Sequence, residues 1–133
     1  MKKLIALALS GFIAIQAAPS FAGEGKADHY EGAEIASTQQ AVKVVHSGYN
    51  EIASIVNGGL NADNMERIHE ITYEVEDAIA YLNKAPKLDM TDFSTNLEGV
   101  HLSSESNQPG LLKSYFKVLQ KEAAKLFKAY PMG

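Results

Sequence analysis

Between Met65 and Leu82 the apolar residues Ile68, Ile71, Val75, Ile79 and Leu82 return every three or four positions. At roughly 100° per residue that spacing draws one stripe along a helix. His69, Thr72, Tyr73 and Glu76 fall on or beside its edge. The same period recurs around this segment. Ile35, Val42, Val45, Tyr49, Ile52 and Val56 predict a helix over 33–57, and the central segment extends to 62–84. Phe93, Leu97, Val100 and Ser104 predict a shorter helix over 91–105. Leu112, Tyr115, Phe116, Leu119, Ala123, Leu126, Phe127 and Tyr130 predict the most apolar face of all, over 109–130.

The residues between these stripes are stop and start signals. Gly58-Gly59 accepts the left-handed backbone that ends a helix. Asn61 or Asp63 can cap the next one, with Glu66 beside its positive end. Pro86 disfavours helical geometry in the residue before it, closing the second helix near Lys84. Thr91 is the expected cap of the third helix, which Gly99 weakens. Ser106-Asn107-Gln108-Pro109-Gly110 breaks the chain again, and Pro109 suits the first turn of a fourth helix. Short connections make sequential helices antiparallel neighbours. The expected fold is therefore all-α, an antiparallel four-helix bundle.

The N-terminus follows a different rule. Lys2 and Lys3 precede an apolar run over 4–18, and Ser20-Phe21-Ala22 has the small-x-small pattern of a signal-peptidase site. Residues 1–22 thus read as a signal peptide cleaved after Ala22, residues 23–32 as a flexible polar leader, and 33–131 as one helical domain. Nothing after the leader is apolar for long enough to span a membrane. The expected location is the periplasm, with secretion as the alternative. The chain contains no Cys, so disulfides cannot contribute and packing or a ligand must supply stability. The formal charge of −4 becomes two units more negative once Lys2 and Lys3 are removed, which disfavours nucleic acid as a partner. Lys113, Lys117, Lys121 and Lys125 recur every fourth residue on the polar side of the last helix. They read either as a solvated face or as a surface for anionic lipid.

No motif for catalysis is visible. The chain lacks a Gly-x-Ser-x-Gly elbow, a phosphate loop and a dinucleotide fingerprint, and His69-Glu70 has Tyr73 where a zincin needs its second His. An enzyme is not expected, and no catalytic residue is assigned. What remains is one histidine on each of the first three helices: His46, His69 and His101. Each lies on the shoulder of its apolar face. Counting from the connections places the layer of Thr72, Tyr73 and Glu76 near the depth of both His46 and His101, and predicts one polar cluster of His69, Thr72, Tyr73, Glu76, His101, Ser104 and Glu105. Imidazoles beside carboxylates are the ligands of a transition metal, which assigns His69, His101, Glu76, Glu105 and His46 as candidate ligands. Three readings stay open: a hydrogen-bonded cluster that fixes helix register, a transition-metal site, and non-covalent haem. No cofactor is expected in the first of these. The expected function is a non-enzymatic structural or interaction module of the cell envelope, its partner an envelope protein or a small ligand; the alternative is a transition-metal or haem binding or sensing module that uses these histidines.

Three motifs carry a resemblance: His29-Tyr30-Glu31-Gly32, Ile68-His69-Glu70-Ile71-Thr72-Tyr73-Glu74-Val75-Glu76, and Leu97-Glu98-Gly99-Val100-His101-Leu102-Ser103-Ser104-Glu105. On these the chain is similar to an uncharacterised family of small exported proteobacterial proteins, a domain of unknown function, over nearly the whole chain that follows the signal peptide. The resemblance implies the architecture and no activity. Size, export and four helices also resemble the soluble periplasmic b-type cytochrome. Its iron ligands, a Met from the first helix and a His from the last, have no counterpart here.

Overall fold

The computed structural model describes residues 34–133, so the signal peptide and leader expected over 1–32 lie outside the described residues. Four helices follow in order: α1 (Thr38–Gly58), α2 (Ala62–Leu82), α3 (Thr91–Glu105) and α4 (Pro109–Ala129). α1–α2, α2–α3 and α3–α4 are packed pairs. The pairs run antiparallel: Arg67 near the start of α2 reaches Glu51 late in α1, while Gly48 faces Ile71 and Val75. None of the described helices is long and apolar enough to cross a membrane.

The ends of the helices correct the sequence expectation in three places. α1 starts at Thr38 rather than near 33. Ser37 accepts from the Gln40 amide, and Gln40 Oε1 accepts from the Ala36 amide, a reciprocal cap that fixes the first turn there. Ile35 still packs on the core from outside the helix. Thr91 does not cap α3. The cap position is Met90, which has no side-chain cap bond, and the amide and hydroxyl of Thr91 both donate to Asp89 Oδ1 in the turn before it. α2 ends at Leu82, two residues before the expected Lys84. Asn61 caps α2 as expected, accepting from the Asn64 amide at 2.8 Å, and Gly59 closes α1 at φ +124°.

The predicted stripes form the core. Ile52, Ile68, Ile71, Val75, Val100, Leu112, Leu119 and Leu126 are fully buried. Lys113, Lys117, Lys121 and Lys125 all face outward, as a core-facing α4 requires. α1 and α4 approach each other least closely of the neighbouring helices. Rings bridge the gap: Tyr49 of α1 lies between Phe116 and Phe127 of α4, at 5.8 and 5.2 Å between centroids.

Gly99 does not interrupt α3. A Cβ on Gly99 would overlap the Tyr115 ring of α4, so the missing side chain is what lets the two helices approach. Gly99→Ala is therefore expected to lower stability. The helix gains about 1 kcal/mol of propensity, while forcing the aromatic ring aside costs about 1–3 kcal/mol. Gly110→Ala, where a Cβ meets open space, is the control. Urea midpoints that rose for both variants would refute this account of Gly99.

Candidate functional site

α2 and α3 bring two histidines together because both stripes carry a polar shoulder turned toward the same groove. His101 of α3 is buried at 2% exposure, although it is charged or polar in every protonation state. Its Nδ1 lies 2.7 Å from Glu76 Oε1 on α2 and 3.8 Å from Glu98 Oε2 on its own helix. A carboxylate offers only lone pairs, so Nδ1 carries the proton and donates it to Glu76. The His69 and His101 ring centroids are 5.0 Å apart. Tyr73 completes the group, with its hydroxyl 3.1 Å from His69 Nε2 and its ring edge-on to His101 at 4.7 Å.

Two sets of ligand atoms result. One atom each from His69, His101 and Glu105 lie within 4.8 Å of one another, and so do one each from Glu76, Glu98 and His101. His101 belongs to both. With Nδ1 protonated toward Glu76, the lone pair of His101 sits on Nε2, the free ligand nitrogen of a carboxylate-oriented imidazole.

The remaining residues of the expected cluster have different partners. The Thr72 hydroxyl donates to the His69 carbonyl and the Ser104 hydroxyl to the His101 carbonyl, each at 2.6 Å. They brace the turns that carry the histidines and do not reach the rings. His46 is not part of the cluster. Its Nε2 donates to the Tyr130 carbonyl at 2.8 Å, and its ring stacks on Phe127 at 3.9 Å. α1 borders α4 as well as α2, and the shoulder that carries His46 turned to α4. Glu98 is the residue that sequence reasoning missed. Its position three residues before His101, on the same helical face, was the available signal.

The field in the groove is negative. Burial raises the Tyr73 pKa above 10.0, and the charges of Glu105, Glu76, Glu66 and Glu98 raise it further, so the phenol stays neutral. For His101 burial pushes the pKa down, but the hydrogen bond to Glu76 and the charges of Glu76, Glu98 and Glu105 outweigh it, leaving the pKa above 6.5.

The sign of the pH effect follows. Because folding raises the His101 pKa, its contribution to stability is complete below the unfolded value of about 6.5 and is lost as pH rises through the folded value. Unfolding by urea between pH 6 and 9 is expected to show metal-free protein weakening over that window. Glu76→Gln, which removes the hydrogen-bonded charge, flattens the slope. A wild-type slope unchanged in Glu76→Gln would assign the effect to other groups.

A family model described as "Family of unknown function (DUF6746)" matches residues 1–128. No curated protein and no solved structure matches the chain.

Proposed function

The chain belongs to the family of unknown function DUF6746, and from that premise we propose that it is a non-enzymatic, exported helical bundle that binds a divalent transition metal through His69, His101 and Glu105. One observation carries the reading. Three ligand atoms of the right types converge within 4.8 Å, and Glu76 holds the shared imidazole by its other nitrogen. Two imidazoles and a carboxylate are the set found in open zinc and copper sites, with a remaining position for water. A purely structural module does not need two imidazoles facing one another amid four carboxylates. Export is supported by the lysine-led apolar run and the small-x-small site over residues 1–22.

Haem is served less well. A porphyrin between two axial imidazoles needs a slot between the rings, and His69 and His101 stand 5.0 Å apart. His46, the third histidine of the helices, donates to the Tyr130 carbonyl.

The test is titration of chelator-stripped protein with Zn(II) and with Cu(II), followed by metal analysis and thermal unfolding. A first ion is expected at His69, His101 and Glu105. A ligand that binds only the folded state raises its stability by about 2.7 kcal/mol at a hundredfold excess over Kd. His69→Ala removes both the binding and the stabilisation. If neither metal binds, or if His69→Ala binds as the wild type does, the proposal fails.

A further inference from the structure

We infer that a second cation site shares His101 with the first: Glu76, Glu98 and His101 Nδ1 hold a second divalent ion, and the imidazole bridges the two. The inference rests on reading His69, His101 and Glu105 as the first site. The two ligand sets have one common member, and it is the buried one. An imidazole has two ring nitrogens on different edges, so one ring can face two ions. The two carboxylates of the second set are also reachable, while His101 lies buried behind them. A cavity of about 220 Å³ between α2 and α3 has Glu76 and Glu98 in its wall, with Asn83, Ser94 and Leu97 further along. Liquid water occupies about 30 Å³ per molecule, so the cavity admits an ion with part of its hydration shell.

The chemistry balances without a change of oxidation state. The second ion displaces the proton that His101 Nδ1 donates to Glu76. The N–H bond breaks, a nitrogen–metal bond forms, and the proton leaves to solvent. The ring becomes an imidazolate whose negative charge is shared by two cations. An ion already on the other nitrogen draws electron density from the ring and makes that proton easier to remove. Glu76 and Glu98 supply two further negative charges. Two ligands at 2.0–2.1 Å on a tetrahedral ion are roughly 3.3 Å apart, so the Glu76 oxygen, now 2.7 Å from Nδ1, must withdraw by roughly half an ångström. Its side chain is 26% exposed, which leaves it room to turn.

Copper(II) distinguishes the outcomes, because two cupric ions joined by an imidazolate couple their spins. Metal-free wild type and Glu98→Gln are titrated with Cu(II), and the integrated electron paramagnetic resonance signal is followed with the bound stoichiometry. Glu98 is 52% exposed, so its replacement leaves the fold intact, which circular dichroism checks. In the wild type the signal is expected to rise through the first equivalent and fall through the second. In Glu98→Gln binding stops at one equivalent with its signal retained. A wild type that stops at one equivalent overturns the bridged site and leaves the first site standing. Two equivalents with additive signals, or two in Glu98→Gln as well, put the second ion elsewhere and also overturn it. No bound copper at all overturns both readings.

Discussion

Alanine in place of His101 is expected to abolish metal binding and to weaken the metal-free fold at the same time. Losing a residue that merely orients a ligand typically lowers metal affinity about 10–100-fold, so losing the shared ligand itself costs at least about a hundredfold. The fold loses the buried ring that Glu76, His69 and Tyr73 surround. Removing one partner of a buried hydrogen bond costs about 1–3 kcal/mol. His69→Ala should lose the metal equally but cost the metal-free fold less. The His69 ring is partly exposed, and its hydrogen bond to Tyr73 is within one helix. Calorimetric titration and urea unfolding of the two variants give the comparison. His101→Ala protein that bound metal like the wild type would end the proposal, whatever its stability.

Phe116→Ala is expected to be the most damaging single change outside the polar groove, lowering stability by about 3–5 kcal/mol, the range for deleting a buried ring. Phe116 is 3% exposed and carries Tyr49 of α1 on its face. Since α1 and α4 meet through rings rather than close backbones, the neighbouring helices cannot collapse into the space without a shift of α1. Leu111, 44% exposed on the same helix, is the contrast, where alanine should change stability by less than about 0.5 kcal/mol. Unfolding midpoints for the two variants settle it. A Phe116→Ala cost near that of Leu111→Ala would mean that the α1–α4 seam contributes little.

The helices were legible because burial imposes a period that survives in the bare sequence. Ile68, Ile71, Val75, Ile79 and Leu82 are all buried, and Gly59 and Pro109 stand where they were expected to. The start of α1 was less so. Ile35 continues the apolar period one turn upstream, and only the Ser37-x-x-Gln40 pair says that the helix has not yet begun. The reason for Gly99 was not legible, because helix propensity is a local property, whereas what requires glycine there is the Tyr115 ring on another helix. For the site, spacing placed His69, Tyr73 and Glu76 on one face, and antiparallel pairing brought His101 opposite them. His46 was lost to the cluster for a geometric reason. A helix in a four-helix bundle has two neighbours, and a position on the shoulder of its stripe does not say which of them it meets.

Tyr130 fastens the open end of the bundle. Its carbonyl accepts from His46 and its hydroxyl from the Lys87 amide, so one buried residue joins the end of α4 to α1 and to the α2–α3 connection. The pairs α1–α2 and α3–α4 are local in the chain and can zip as hairpins, but the bond from His46 to Tyr130 spans 84 positions. Closing so long a loop costs more chain entropy than pairing neighbours does. Tyr130 thus ties three separate parts of the chain at one end of the bundle, and the loss of its hydroxyl in Tyr130→Phe would release the α2–α3 connection while leaving the bond to His46 in place.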